Sequence, residues 1–243
     1  YLAGTDAQRR QQLDRAWQDP GIKAILCARG GYGASRLLED WVRPQTDSPP
    51  KWLVGFSDIT ALLWSIYNEG IAGVHAPVLT SLSAEPDWSV RRLFDWVEGR
   101  TIPPLQGRGW GGGTVCGTLL PGNLTVATAL LGTKVQPDLE GAILAFEDVG
   151  EAPYRIDRLL TQWRMMGAFQ GIRGIALGQF SDCAVDASLP SFTVEEVLLD
   201  RLGDLGVAIV SDLPFGHISG NAALPVGARV ELEGDRGVLS VLS

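Results

Sequence analysis

The chain is short of positive charge, of cysteine, of histidine and of long apolar runs, and each shortage removes a class of function. Among its 243 residues, Lys and Arg number 20 against 28 Asp and Glu, a net charge of −8 with neutral histidines. That balance repels a phosphate backbone, so nucleic acid is not an expected partner. No hydrophobic stretch reaches the roughly 20 residues needed to span a bilayer, because Gly, Pro or a charge breaks each one, so a soluble protein with no membrane partner is expected. The three cysteines, Cys27, Cys116 and Cys183, are far apart, odd in number and form no C-x-x-C pair. Neither a disulfide framework nor a zinc site is indicated, no metal or other cofactor is expected, and a reducing, cytoplasmic setting fits this cysteine usage.

What is present is a 45% apolar composition, enough to bury a sizeable core in one large domain or two ordinary ones. Residues 6–18 read as an amphipathic helix capped by Thr5 or Asp6 and stopped at Asp19-Pro20, and the apolar run 22–28 reads as a buried strand. A helix from Ser35 follows. A second strand, 52–55, passes through Phe56-Ser57-Asp58 into a helix over 59–68. Strand, tight turn and helix in repetition predict a parallel sheet with covering helices. Helices are further expected over 87–98, 124–131, 154–166 and 194–205, with strands over 142–146, 174–180 and 207–210 and a closing hairpin of 229–232 with 238–242. The run Gln106-Gly107-Arg108-Gly109-Trp110-Gly111-Gly112-Gly113 carries so much glycine that no stable element is expected there. It reads as a linker over 106–113 between domains of residues 1–105 and 114–243.

Gly55-Phe56-Ser57-Asp58 puts a serine on a sharp strand-to-helix turn, where its hydroxyl is exposed and the next N–H, that of Asp58, can face a developing oxyanion. The second glycine of the usual elbow is absent, and a serine here can equally cap the helix that follows. Only His75 and His217 can supply an imidazole base. His217 follows the strand at 207–210 in Pro214-Phe215-Gly216-His217, whereas His75 sits in Gly73-Val74-His75-Ala76-Pro77, read as a loop; either can be a structural residue. Glu147 and Asp148 end the strand at 142–146, with Glu151 in the same loop, either as triad acids or as a solvated acidic turn. Arg29-Gly30-Gly31-Tyr32-Gly33 follows the first strand and frees backbone N–H groups, for a phosphate, as an oxyanion donor from Gly30 or Gly31, or merely as a turn; it matches no nucleotide motif. Arg155 and Arg158 share a helix face and suit a carboxylate, or pair with Asp157 or Glu151.

Taken together, Ala28-Arg29-Gly30-Gly31-Tyr32-Gly33, Gly55-Phe56-Ser57-Asp58-Ile59-Thr60, Gly122-Asn123-Leu124, Phe146-Glu147-Asp148-Val149-Gly150-Glu151-Ala152-Pro153-Tyr154-Arg155-Ile156-Asp157-Arg158 and Phe215-Gly216-His217 resemble the L,D-carboxypeptidase family, in order and over nearly the whole chain. The resemblance implies an α/β fold, with a doubly wound parallel-sheet amino-terminal domain, a smaller α/β carboxyl-terminal domain and the active site at their interface. It implies a cytoplasmic serine peptidase of peptidoglycan recycling, without a metal, that releases the terminal D-alanine of a murein tetrapeptide, a small peptide substrate, and that is often a homodimer. Carried over residue by residue, it makes Ser57 the nucleophile, Glu147 the triad acid and His217 the base, with the N–H groups of Gly31 and Asp58 as oxyanion donors. His75 matches no catalytic position. Arg155 or Arg158 is the expected reader of a substrate carboxylate.

The family also contains peptidases that inactivate peptide–nucleotide antibiotics of the microcin C type, an alternative substrate class for the same triad. Family members usually carry a first strand and helix before the region matching Leu2-Ala3-Gly4-Thr5; if that strand belongs to the doubly wound sheet, a fragment with an open sheet edge is expected here and, as a further alternative, a non-catalytic peptide-binding remnant.

Overall fold

A computed structural model describes residues 1–42, 44, 50–184 and 190–242. In chain order the elements are α1 (Asp6–Gln18), β1 (Ala24–Leu26), α2 (Ala34–Leu37), β2 (Trp52–Gly55), a 3-10 turn at Ser57–Ile59, α3 (Thr60–Tyr67), β3 (Gly73–His75), α4 (Leu79–Leu82), α5 (Asp87–Val97), β4 (Leu105–Gln106), β5 (Arg108–Gly111), β6 (Thr114–Asn123), α6 (Leu124–Leu130), β7 (Ala142–Val149), α7 (Pro153–Met165), β8 (Gly174–Ser181), α8 (Val194–Leu202), β9 (Ala208–Ser211), β10 (Leu224–Val226), β11 (Arg229–Glu233) and β12 (Val238–Val241). They form two sheets. The first runs β1-β2-β3-β10 and the second β4-β12-β11-β6-β7-β8-β9-β5. By strand count the second sheet is the larger in this chain.

β1, β2 and β3 are parallel, as the strand–turn–helix repeats require, and among the described residues β1 is paired on one side only, with β2. β10 joins antiparallel to β3, so a strand from late in the chain closes the first sheet. In the second sheet β6, β7, β8 and β9 are parallel. β7 is buried on both faces from Ala142 through Asp148, which is why its sequence reads as a near-continuous apolar run rather than an alternation. The helices cover these faces, with Leu62, Trp64 and Ile66 of α3, Ile156, Leu160 and Trp163 of α7 and Leu198 of α8 in one buried cluster with β7 and β8. The first helix starts at Thr5, one of the two caps that its sequence offers. Thr5 and Gln8 form a reciprocal capping box on α1, and Thr193 and Glu196 form another on α8. No helix among the described residues is long and apolar enough to cross a membrane.

Two expectations require correction. The glycine-rich run is not free of structure, because β5 pairs antiparallel with β9 within it. Its glycines serve close backbone approach rather than flexibility: a β-carbon on Gly107 would run into the Ser211 carbonyl and one on Gly109 into the Gly234 carbonyl. His75 is not in a loop but ends β3, paired between Gly55 and Leu224 in mid-sheet.

β6 was not anticipated, since Gly117, Pro121 and Gly122 interrupt its pattern. Its pairing with β11 ends at Thr118, so the N–H that Pro121 lacks costs no ladder bond there. The Pro121 carbonyl instead accepts from Trp64 Nε1 at 2.9 Å, tying α3 to the second sheet.

Gly109→Ala separates the two views of the glycine run. In a free linker the substitution would stabilise by about 0.4–1 kcal/mol through the unfolded chain. Against the Gly234 carbonyl it should instead cost about 1–3 kcal/mol, read as a lower denaturation midpoint at unchanged slope.

Candidate active site

β2 delivers Ser57. After Gly55 the chain stays extended at Phe56 (φ −148°, ψ −171°) and then turns through Ser57 at φ 62°, one of three non-glycine residues with positive φ among those described. A side chain in this left-handed region costs on the order of 1–2 kcal/mol and persists only where the surroundings impose it. Here α3 imposes it, since Ala61, Leu62, Leu63, Trp64 and Ile66 are all buried directly after the turn. The first glycine turn shapes the other side. A β-carbon on Gly30 would lie 2.9 Å from Ser57 Cβ and 3.1 Å from its Oγ, so only glycine lets the backbone pass this close. Ser57 makes no capping bond to the helix.

His217 lies beyond β9, in a loop with no regular structure between Asp212 and Ala223. Its Nε2 is 3.1 Å from Ser57 Oγ, and its Nδ1 is 2.6 Å from Glu147 Oε2. Glu147 stands near the end of β7, opposite Asn123 of β6, where the pairing of β7 with β8 shifts register between Phe146 and Asp148. Its carboxylate has no exposed surface, and burial pushes its pKa up against the opposing pull of the His217 hydrogen bond. Three parallel-strand ends, those of β2, β7 and β9, thus deliver a serine, an acid and an imidazole into one hydrogen-bonded line. The short Glu147 contact fixes which ring nitrogen carries the proton: with Nδ1 as donor, the Nε2 lone pair faces Ser57.

The neighbouring acids have other tasks. Asp148 accepts from Asn123 Nδ2 (2.9 Å), from Thr125 N–H (2.9 Å) and Oγ1 (2.8 Å), and from the Val149 N–H (2.9 Å), which makes it a brace for the start of α6. Glu151 pairs with Arg155 at 3.5 Å. Asp58 is buried, and its carboxylate accepts the Ala34 N–H at 2.8 Å, bolting the glycine turn to the serine turn. Burial raises the Asp58 pKa, opposed by the Ala34 and Gly33 N–H groups. The Gly31 N–H has no acceptor among the described residues, and Gly31 sits at φ 110°. A cleft of about 750 Å³ opens beside it, lined by Arg29, Gly30, Gly31, Tyr32, Asp58 and Ile59 among others.

The remaining candidates stand apart from the serine–imidazole–carboxylate line. Arg155 and Arg158 are both exposed near the start of α7. Arg155 donates to the Tyr154 hydroxyl at 3.2 Å, and both guanidinium groups lie over the Tyr154 ring, at 5.9 and 5.5 Å. Neither contacts Ser57, His217 or Glu147. His75 is wholly buried, with both ring nitrogens unpaired, between Phe56 (5.8 Å) and Phe215 (6.0 Å); Phe56 in turn lies 4.7 Å from the His217 ring. Among the described residues no three His, Cys, Asp or Glu side chains converge as a metal site. Sequence reasoning missed the Asn123–Asp148 brace and the contact of Gly30 with Ser57. The motif Gly122-Asn123-Leu124 contained the only signal for the first, and nothing local signalled the second.

Comparison with known proteins identifies the family. Residues 1–76 match the LD-carboxypeptidase N-terminal domain and residues 116–232 the LD-carboxypeptidase C-terminal domain. A provisionally named carboxypeptidase of Synechocystis sp. is 59% identical over 242 residues, covering 100% of this chain and 80% of the relative. The murein tetrapeptide carboxypeptidase of Pseudomonas aeruginosa is 35% identical over 254 residues, covering 97% of this chain and 80% of its own. Among solved structures, the muramoyltetrapeptide carboxypeptidase of Oxalobacter formigenes superimposes with a TM-score of 0.88 at 29% identity, over 98% of this chain and 84% of that one. The microcin C7 self-immunity protein MccF shares the fold, with a TM-score of 0.85 at 22% identity over 100% of this chain and 82% of that one. The chain belongs to the LD-carboxypeptidase family.

Proposed function

We propose that this protein is a serine-type carboxypeptidase that hydrolyses the L,D-peptide bond releasing terminal D-alanine from a murein tetrapeptide. The observation that carries the reading is the line Glu147 Oε2–His217 Nδ1, His217 Nε2–Ser57 Oγ, at 2.6 and 3.1 Å, ending on a serine held at positive φ. The substrate class follows the names of the relatives from Pseudomonas aeruginosa and Oxalobacter formigenes.

In the proposed reaction Ser57 Oγ attacks the scissile carbonyl carbon while its proton passes to His217 Nε2. Glu147 stabilises the imidazolium, and the N–H groups of Gly31 and Asp58 face the oxyanion. Collapse breaks the C–N bond, with His217 returning its proton to the departing amine of D-alanine. Water, deprotonated by His217, then attacks the Ser57 ester; the tripeptide acid leaves and the serine regains its proton. Arg155 or Arg158 is the proposed partner of a substrate carboxylate. Their guanidinium groups, both over the Tyr154 ring, leave a cationic surface at the start of α7 for that role. If peptide–nucleotide conjugates of the kind handled by MccF-like proteins are the substrate instead, the same three residues would carry the same acyl transfer.

Ser57→Ala should lower D-alanine release from a diaminopimelate-containing tetrapeptide by about 10⁴-fold or more, followed by mass spectrometry. Equal release by the substituted and unsubstituted proteins would reject Ser57 as nucleophile. No release from either, with turnover of a peptide–nucleotide conjugate, would move the substrate to the second class.

His75 gives a pH prediction for stability. Burial, and secondarily the nearby His217, pull its pKa down to about 3 from an ordinary 6.5. Between those values the unfolded chain binds a proton that the folded chain refuses, so stability is fully present above pH 6.5 and declines as pH falls toward 3. The slope from this group reaches at most about 1.4 kcal/mol per pH unit. His75→Phe, packed against the same rings, should flatten the acid side of the unfolding free-energy profile by that amount, and parallel profiles would exclude His75 as the titrating group.

A further inference from the structure

The loop that carries His217 is held by side chains that neither the nucleophile turn nor the β7 acid supplies. Glu85, in the turn between α4 and α5, accepts two backbone N–H groups on one oxygen: Gly220 at 2.7 Å and Asn221 at 3.1 Å. Ser89 of α5, wholly buried, donates its hydroxyl to the Asn221 carbonyl at 2.7 Å. Arg92, also buried, donates from Nε to the Ala223 carbonyl at 3.0 Å and from a terminal nitrogen to the Pro103 carbonyl. Spacings of four and then three place these side chains along one face of α5 and its lead-in turn.

From that grip the hold passes inward. Asn221 is 1% exposed, and its Oδ1 accepts the N–H of Gly216 at 2.9 Å, immediately before His217. Ala222 N–H closes the loop on the Pro214 carbonyl at 2.8 Å. Gly216 leaves no slack on its other side, because a β-carbon there would lie 2.9 Å from Glu147 Cβ and 3.0 Å from Glu147 Oε2. A shift of Gly216 therefore moves the imidazole against both partners at once.

We infer that Glu85 and Asn221 are positioning residues for the His217 base, forming with Ser89 a clamp through which α5 sets the imidazole between Glu147 and Ser57. None of the three meets the reacting atoms. Their effect runs through the Gly216 N–H, and the inference rests on the catalytic reading proposed above. A carboxylate suits the first position because one oxygen can accept both N–H groups of the turn, and a glutamine carbonyl can do the same without the charge.

The test compares Glu85→Ala with Glu85→Gln, because Glu85 is partly exposed and either variant can be checked for a native cooperative melt. Glu85→Ala should lower kcat for D-alanine release by about 10- to 100-fold, as expected for a slightly misplaced catalytic group, with KM within about twofold. Glu85→Gln should restore kcat to within about threefold of the unsubstituted protein. Labelling of Ser57 by a fluorophosphonate should slow in the same order. In proton NMR spectra, the downfield His217 Nδ1–H signal expected of a 2.6 Å bond to a carboxylate should persist in the Gln variant and broaden or vanish in the Ala variant. A folded Glu85→Ala protein with unchanged labelling rate and unchanged Nδ1–H signal would overturn the clamp. So would a Gln variant as impaired as the Ala variant. If the unsubstituted protein releases no D-alanine, the functional proposal fails on its own, and the NMR signal still decides the clamp.

Discussion

Glu147 is a carboxylate taken entirely out of water, and the 2.6 Å hydrogen bond to His217 is what makes its burial tolerable. Its other oxygen accepts no well-formed hydrogen bond among the described residues, with only the nearby Asn123 amide helping to hold its pKa down, so the pairing is concentrated on one atom and one direction. That direction is set by β7, whose register shift against β8 falls at this residue while Asp148 turns to Asn123 and Thr125. Removing the imidazole would leave an uncompensated buried charge, and removing the carboxylate would free the ring to present either nitrogen. The remaining features follow from this bond: the strained turn brings a hydroxyl to Nε2, and the clamp from α5 keeps the His217 loop over the acid.

The two sheets are joined at the points where this alignment needs them to be. Ser57 and α3 follow β2 of the first sheet, whereas Glu147 and β9 belong to the second. Trp64 reaches the Pro121 carbonyl, Thr60 Oγ1 accepts the Asn123 N–H at 3.0 Å, and β10 lies in the first sheet although it directly follows the His217 loop. Relative motion of the sheets would lengthen the serine–imidazole contact, so these ties maintain that contact as well as the fold. Neutral His75, wedged between Phe56 and Phe215, adds no charge behind His217 at the pH where an imidazole base works.

How much was legible in the sequence depended on how local each signal was. The apolar run of β2 followed by Ser57, and the run of β7 ending in Glu147, carry their signal within a few residues, and both strands fall where that signal puts them. α1, α5 and α7 were readable for the same reason, from amphipathic spacing and end signals. β6 was not, because Gly117, Pro121 and Gly122 look like breaks until β7 and β11 are seen to pair beside them. The glycine run at 106–113 misled in the opposite sense, since close approach and flexibility leave the same composition. His75 looked like a loop residue because Gly73 and Pro77 flank it, while its burial depends on β10, about 150 residues away in the chain. The contacts of Glu85 with Gly220 and of Gly30 with Ser57 link residues that no pattern relates, and only the fold brings them together.

The proposed reaction places an acyl group on Ser57 during turnover. Rapid acid quenching of the protein during hydrolysis of a murein tetrapeptide, followed by peptide mass mapping, tests it directly. A mass increase equal to the tripeptide acyl group is expected on the peptide containing Ser57, and none in Ser57→Ala. An acyl group found on another residue, or sustained turnover by Ser57→Ala, would contradict it.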